Sequence, residues 1–259
     1  MRAPFRAAVI TGASSGLGAA LARAYAGPGV ALGLIGRNAE RLGEVAQACR
    51  DAGATVDSAI IDVAARDTLA AWLEQFDRAH PVDLVIANAG TSSGSAPGST
   101  GEDVEETTRL IMVNLLGAVF TAGPLVPAMC RRGRGRIVFI SSIAGYRGLP
   151  FSPGYSASKA GLRVYGDALR PLIEPYGVGV TVVSPGFFAS RMSDRVDGPR
   201  PLMIGTEAAA RKVKRAIDRG RRRLSFPWVL AFGARLGDLI PAAIGDRILN
   251  RLHFRIRSP

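Results

Sequence analysis

Tyr155 and Lys159 stand four residues apart in the stretch GYSASKAGLRVYG, Gly154–Gly166. On a helix that spacing puts both side chains on one face. An ammonium group beside a phenol favours the phenolate and lowers the phenol's pKa. A tyrosine tuned in this way can pass a proton near neutral pH. The choice of lysine is informative. Of the 33 Lys and Arg residues only three are lysine: Lys159, Lys212 and Lys214. Lysine is a compact point charge with three donors, which the flat fork of arginine does not reproduce. A solvated surface pair has the same spacing, so this pair gains meaning only from its surroundings.

A second chemistry is written at 11–18, TGASSGLG, directly after the apolar run 6–10. Gly12 permits a tight turn, and Gly16 and Gly18 let backbone approach a ligand and a helix pack close to a sheet. With Ser14, Ser15 and Leu17 they form a loop opening a helix, whose free N–H groups and positive dipole end suit a phosphate. The spacing is G-x-x-x-G-x-G. The end of the second strand-like run says which dinucleotide. An acid there would bind a ribose 2′-hydroxyl, but this chain has Gly36, Arg37 and Asn38. Arg37 can pair with a 2′-phosphate through charge-assisted hydrogen bonds, and Ser14 can add a hydroxyl. These residues predict NADP(H) in preference to NAD(H). The plainer reading of Arg37 is a surface charge flanking a helix.

The elements that must position these groups follow from periodicity. Six short apolar runs, beginning with RAAVI and ending with VGVTVVSPG, alternate with amphipathic helical stretches. One of these stretches, about 103–131, reads as a single long helix. The alternation predicts an α/β fold, a Rossmann-like doubly wound parallel sheet with helices on both faces. Its domain organisation is read as a binding and catalytic unit over 1–205 and a basic amphipathic extension of it over 206–259. The patch TSSGSAPGST, 91–100, reads as a loop.

With 259 residues, 47% hydrophobic and 21% charged, the chain can build one large domain. Cys49 and Cys130 are too far apart in sequence, and too few, to form a disulfide framework or metal site, and no metal is expected. His80 and His253 have no partners suggesting a metal. The start MRAPFRAAVITG runs straight into a strand-like segment without a secretory apolar region. No apolar stretch reads as long enough to cross a bilayer. The expectation is a cytoplasmic protein. Of the net charge of +12, residues 211–259 carry thirteen Lys or Arg against three Asp.

Further motifs stand in order: DV at 62–63, NAG at 88–90, Asn114, SS at 141–142, YSASK, and PG at 185–186. With TGASSGLG they make the chain resemble the classical short-chain dehydrogenases/reductases over about residues 6–190. The resemblance implies a nicotinamide cofactor, an oxidoreductase acting on a carbonyl or secondary alcohol, and a catalytic set of Asn114, Ser142, Tyr155 and Lys159. In the resemblance it is Ser142, not Ser141, that holds the family's spacing to Tyr155, which implies a structural role for Ser141. It further implies that Asp62 and Val63 flank the adenine, that Asn88, Ala89 and Gly90 border the adenosine ribose, and that Pro185, Gly186 and Ser190 hold the nicotinamide end. Tyr155 would exchange the proton, Lys159 would also bond the nicotinamide ribose, and Asn114 would position a water. A homodimer or homotetramer is implied. The competing reading is a nucleotide-binding scaffold that keeps the fold without turnover.

The tail departs from the family. Pro227 and Pro241 can each begin a helix. Ile244, Ile248 and Leu252 recur at i+4, with Leu249 and Ile256 nearby, and Arg247, Arg251 and Arg255 recur on another face. With Phe226, Trp228 and Phe232 this amphipathic segment, 219–257, suits an anionic membrane surface, and it equally suits packing on the domain or a second subunit. No nucleic-acid motif accompanies the charge. Substrate should meet the 91–98 loop, Ala144–Ser152 and 187–205. There Phe151, Phe187, Phe188, Leu202 and Met203 suggest an apolar, lipid-like carbonyl compound or alcohol.

Overall fold

The computed structural model describes residues 4–95, 101–237, 239–249 and 255–256. Its strands are β1 (Ala7–Thr11), β2 (Ala31–Gly36), β3 (Thr55–Ile60), β4 (Leu84–Ala87), β5 (Gly135–Ile140), β6 (Val178–Pro185), β7 (Val196–Asp197), β8 (Arg223–Phe226) and β9 (Arg255–Ile256). The α-helices are α1 (Gly16–Tyr25), α2 (Ala39–Asp51), α3 (Arg66–Ala79), α4 (Val104–Ile111), α5 (Gly117–Ala122), α6 (Val126–Arg131), α7 (Pro153–Ile173), α8 (Thr206–Asp218), α9 (Trp228–Gly237) and α10 (Ala242–Leu249).

Seven strands form one parallel sheet in the order β3-β2-β1-β4-β5-β6-β8. Every residue of β1, β2 and β4 is buried. That is why these strands read as unbroken apolar runs, since helices cover both faces. β3, at the edge, buries only Val56. One core layer joins the sheet to α1, α2 and α8 through Leu21, Leu42, Val213 and Ile217. The other joins it to α3, α5, α6 and α7 through Leu73, Ala118, Met129 and Leu162. The strand order reverses between β1 and β4, and ligands of such sheets sit outside the carboxyl ends of the strands at that point.

Three features depart from the sequence expectations. RLSF forms a seventh strand, β8, hidden in sequence by the arginines before it; only Leu224 and Phe226 carry an apolar alternation. The segment expected as one helix over 103–131 is broken by a π-helical turn at Met112–Leu116 and again before α6. And residues Val104–Arg131 are, by length and composition, apolar enough to cross a membrane, contrary to expectation. Core packing accounts for that apolar content, since Leu110, Val113, Ala122, Leu125 and Met129 are buried.

α9 and α10 follow Pro227 and Pro241 as expected. The fold of Leu252 and Arg251 lies outside the described residues, as do the side chains of Ile248, Leu249, Arg255 and Ile256.

Candidate active site

α7 begins with Pro153 at its first turn and carries Tyr155 and Lys159 one turn apart. The loop after β5 comes close against it. A Cβ at Gly145 would lie 2.8 Å from the Lys159 carbonyl carbon, so only glycine permits this approach. Ser141 Oγ donates to the Lys159 carbonyl oxygen at 2.7 Å, a structural tie between β5 and α7. Ser142 points the other way: its Oγ accepts from Ala144 N at 3.1 Å, and its hydroxyl acts on the Tyr155 phenol.

The electrostatics differ from the expectation that Lys159 lowers the Tyr155 pKa. Burial pushes the phenol up, and the bond to Ser142 offsets only part of this. Lys159 Nζ lies 5.9 Å from the Tyr155 ring centroid and donates to the Ile140 carbonyl oxygen at 2.9 Å. Burial lowers the ammonium's own pKa to about 8. The phenol therefore stays protonated at neutral pH, the form that donates.

Asn114 sits in the π-helical turn and is fully buried. Its Oδ1 accepts from Thr91 N at 2.8 Å, and its Nδ2 donates to the Thr91 carbonyl oxygen and to Ser158 Oγ, both at 3.0 Å. It thereby pins the loop after β4 to α7. A Cβ at Gly90 would fall 3.1 Å from Asn114 Oδ1 and 3.3 Å from Lys159 Nζ, so these two groups converge on one glycine.

A cavity of about 1080 Å³ runs from the glycine-rich turn to α7. Ser142 and all the residues expected at the cofactor line it except Gly18; Asn114 stands behind the wall. Gly12 and Gly16 have φ of +66° and +53°, the left-handed region that the turn requires. Gly18 has no room for a side chain because the Gly12 carbonyl oxygen lies against it. Asn88 Nδ2 donates to the Thr11 carbonyl oxygen at 3.0 Å, and Thr11 Oγ1 accepts from the amides of Asn88 and Ala89 at 3.1 Å each, locking β4 to the turn. Asn38 caps α2, its Oδ1 accepting from Arg41 N at 2.9 Å. Arg37 Nη1 and Asp62 Oδ2 pair at 3.4 Å across the exposed rim. Ser190 faces Gly16, where a Cβ would be 3.7 Å from Ser190 Cβ.

The cavity suits a phosphorylated dinucleotide on its own features. The turn leaves a cradle without side chains, and beside it Arg41 lines the wall with a buried Nε that has no hydrogen-bond partner. An unpaired guanidinium N–H next to Arg37 is what a 2′-phosphate would satisfy.

Residues 6–200 match the sequence profile of short chain dehydrogenases. The chain belongs to the classical short-chain dehydrogenase/reductase family. This dehydrogenase/reductase is 36% identical over 249 residues to an uncharacterized oxidoreductase of Myxococcus xanthus, with 96% of this chain and 98% of that one covered. It is similar to the structure of a short-chain dehydrogenase from Sphingobium yanoikuyae in complex with NADPH, with a TM-score of 0.79 and 27% identity, covering 92% of this chain and 97% of that one. It is also similar to a metagenomic short-chain oxidoreductase in complex with NADP, with a TM-score of 0.65 and 34% identity over 70% of this chain and 82% of that one.

On the substrate side of this dehydrogenase/reductase, Phe187 and Phe188 line the cavity as expected, but Phe151, Leu202 and Met203 do not. Leu202 and Met203 are on the outer surface, next to Pro201, which does line it. Residues 96–98 of the expected loop lie outside the described residues. Sequence reasoning missed a whole wall: Val229, Leu230, Gly233, Ala234 and Gly237 of α9, with Ile240 beyond it. The small residues at 233, 234 and 237 were the available signal, because they let a helix lie close to a ligand. α9 is tethered by Arg235, whose Nη2 donates to Tyr146 Oη at 2.7 Å while its guanidinium stacks 4.4 Å from that ring's centroid.

Proposed function

We propose that this oxidoreductase is an NADP(H)-dependent reductase and dehydrogenase of apolar, lipid-like ketones or secondary alcohols. The observation that carries this reading is one cavity with the Tyr155–Ser142 pair beside Lys159 at one end and the glycine turn with Arg37 and Arg41 at the other. The complexes of similar proteins with NADPH and NADP support the same cofactor here.

When bound, NADPH supplies a hydride to the carbonyl carbon. Gly12 and Gly16 would present backbone amides to the pyrophosphate, while Arg37 and Arg41 would hold the 2′-phosphate. Asp62 and Val63 would flank the adenine, Asn88, Ala89 and Gly90 the adenosine ribose, and Pro185, Gly186 and Ser190 the nicotinamide end. Ser142 Oγ would hold the substrate's carbonyl oxygen, and Tyr155 Oη would donate its proton to that oxygen. Lys159 would bond the nicotinamide ribose. Asn114 would keep α7 and the loop after β4 in register, which fixes the distance between Lys159 and the cofactor end. The apolar walls, Phe187, Phe188 and α9, exclude water from the reacting atoms.

The proposal extends to a single unit whose residues 206–259 are an extension of the binding and catalytic domain, to a homo-oligomer, and to a cytoplasmic location. A panel of medium-chain ketones with NADPH, followed by loss of nicotinamide absorbance, tests the activity. Tyr155→Phe should lower kcat by roughly 10²–10⁴-fold and leave NADPH affinity nearly unchanged. Turnover of Tyr155→Phe within a few-fold of the parent would overturn Tyr155 as the proton donor, whereas no turnover by the parent of any ketone or alcohol in the panel would favour the scaffold reading.

A further inference from the structure

Half of the exposed large hydrophobic side chains among the described residues fall between Trp228 and Ile244, seven of fourteen, so they form a patch and not a scatter. α9 explains the patch. Trp228, Phe232 and Leu236 recur at i+4 on its outer side and are 73%, 56% and 44% exposed. Ala231, on another side of the helix, is buried. Leu239 and Ile244 continue the apolar surface past the helix. Between its two sides α9 shares an edge with the cavity: Val229 and Ile240 belong both to the exposed patch and to the cavity wall.

We infer that the outer face of α9 is a contact surface for an anionic lipid bilayer, and that apolar substrate enters the cavity directly from the bilayer past Val229 and Ile240. This rests on the apolar-substrate reading given above. Charge selects the occupant. Residues 211–259 carry thirteen Lys or Arg against three Asp; Lys214, Arg222 and Arg223 are paired with Asp218, Glu174 and Asp167, and the basic excess that is left complements anionic headgroups. A second copy is the competing occupant, since a two-fold interface would set this apolar patch against itself, and the test below separates the two. Size agrees as well. A helix of 10 residues is about 15 Å long, too short to span a bilayer but suited to lie in its interface with the aromatic and aliphatic side chains down.

Trp228 supplies the test, since the chain has only Trp72 besides, and Trp72 is held against Phe76 with ring centroids 5.5 Å apart. The full chain is mixed with vesicles of phosphatidylglycerol and phosphatidylcholine, or of phosphatidylcholine alone. Co-sedimentation is measured together with tryptophan quenching by lipids brominated on the acyl chain. The expected result is binding and quenching with the anionic vesicles, weakening about fivefold for each Arg contact screened as salt rises. Trp228→Phe should keep binding and lose the quenching. Phe232→Ser with Leu236→Ser should bind at least tenfold more weakly, yet keep NADPH affinity and turnover of a short water-soluble ketone, since neither residue lines the cavity. Absence of anionic-vesicle binding at low salt overturns the inference. So does a double variant that binds vesicles as the parent does, or one that converts a dimer to a monomer with vesicle binding unchanged. Vesicle and NADPH binding are read without turnover, so failure here is separable from failure of the proposed activity.

Discussion

Two arginines four residues apart, Arg37 before α2 and Arg41 in its first turn, divide the work expected at the 2′-phosphate. Arg37 is exposed and already paired with Asp62, so its charge is partly spent. Arg41 has a buried Nε without a partner. Arg41→Ala should therefore weaken NADPH by about tenfold to a hundredfold while leaving NADH unchanged, as read by fluorescence titration. Arg37→Asp should do the same and shift preference towards NADH, because it places repulsion where attraction stood. Only Arg37 was legible in the sequence, from its place at a strand end. Arg41 looks like any of thirty arginines until the fold sets it on the cavity wall. Lys159 carries a further consequence at this scale. Burial lowers its pKa to about 8, from 10.5 in the unfolded chain. Below pH 8 both states are protonated, and the burial cost is fully present. Between 8 and 10.5 unfolding takes up a proton, so stability rises with pH. Relative to Lys159→Met, the parent should gain up to about 3 kcal/mol across that window, measured by thermal denaturation from pH 7 to 10.5. A constant difference would mean the amine is not desolvated.

Helices reach this site only because glycines let them come close, and the effect can be read by contrast. A Cβ at Gly18 would strike the Gly12 carbonyl oxygen, backbone that cannot swing aside. Gly18→Ala should cost about 1–3 kcal/mol and impair NADPH binding, since α1 and the turn must separate. Gly43, in the middle of α2, has nothing within 4 Å of its missing Cβ. Gly43→Ala should stabilise by about 1 kcal/mol, and both are checked by denaturant unfolding. The central strands were legible because burial on both faces writes continuous apolar runs. β8 was not, because at four residues it borrows its stability from β6. The π-helical turn around Asn114 was hidden too. Local composition there suits an α-helix, and what diverts it is tertiary: Asn114 is bonded to Thr91 and to Ser158 of α7.

Across the whole molecule, the motif residues of TGASSGLG, NAG and YSASK meet in one cavity although up to 148 positions separate them, as the span from Thr11 to Lys159 shows. Their order in sequence was enough to foresee that meeting. The wall made by α9 was not foreseeable, because an amphipathic tail can turn its apolar side to lipid, to a partner or inward. Here one helix turns different sides to the cavity and to solvent. The tether between Arg235 and Tyr146 holds it in place. Arg235→Met should loosen the wall, raising KM for an apolar ketone several-fold while leaving the NADPH affinity as it was, measured by steady-state kinetics and titration. An equal change in both would place the tether's influence on the cofactor end as well.

The walls of the cavity also have separate ancestries along the chain. In the proposed reaction, cofactor and proton chemistry draw on cavity residues up to Ser190, whereas α9 would contribute only shape. Selection can thus rewrite α9, trading Gly233 or Ala234 for bulk, and change which molecule is accepted without disturbing the redox partner or the acid. A lineage carrying this chain can diversify its diet by editing one ten-residue segment, and relatives that share the motifs yet differ there should be expected to part company in what they consume.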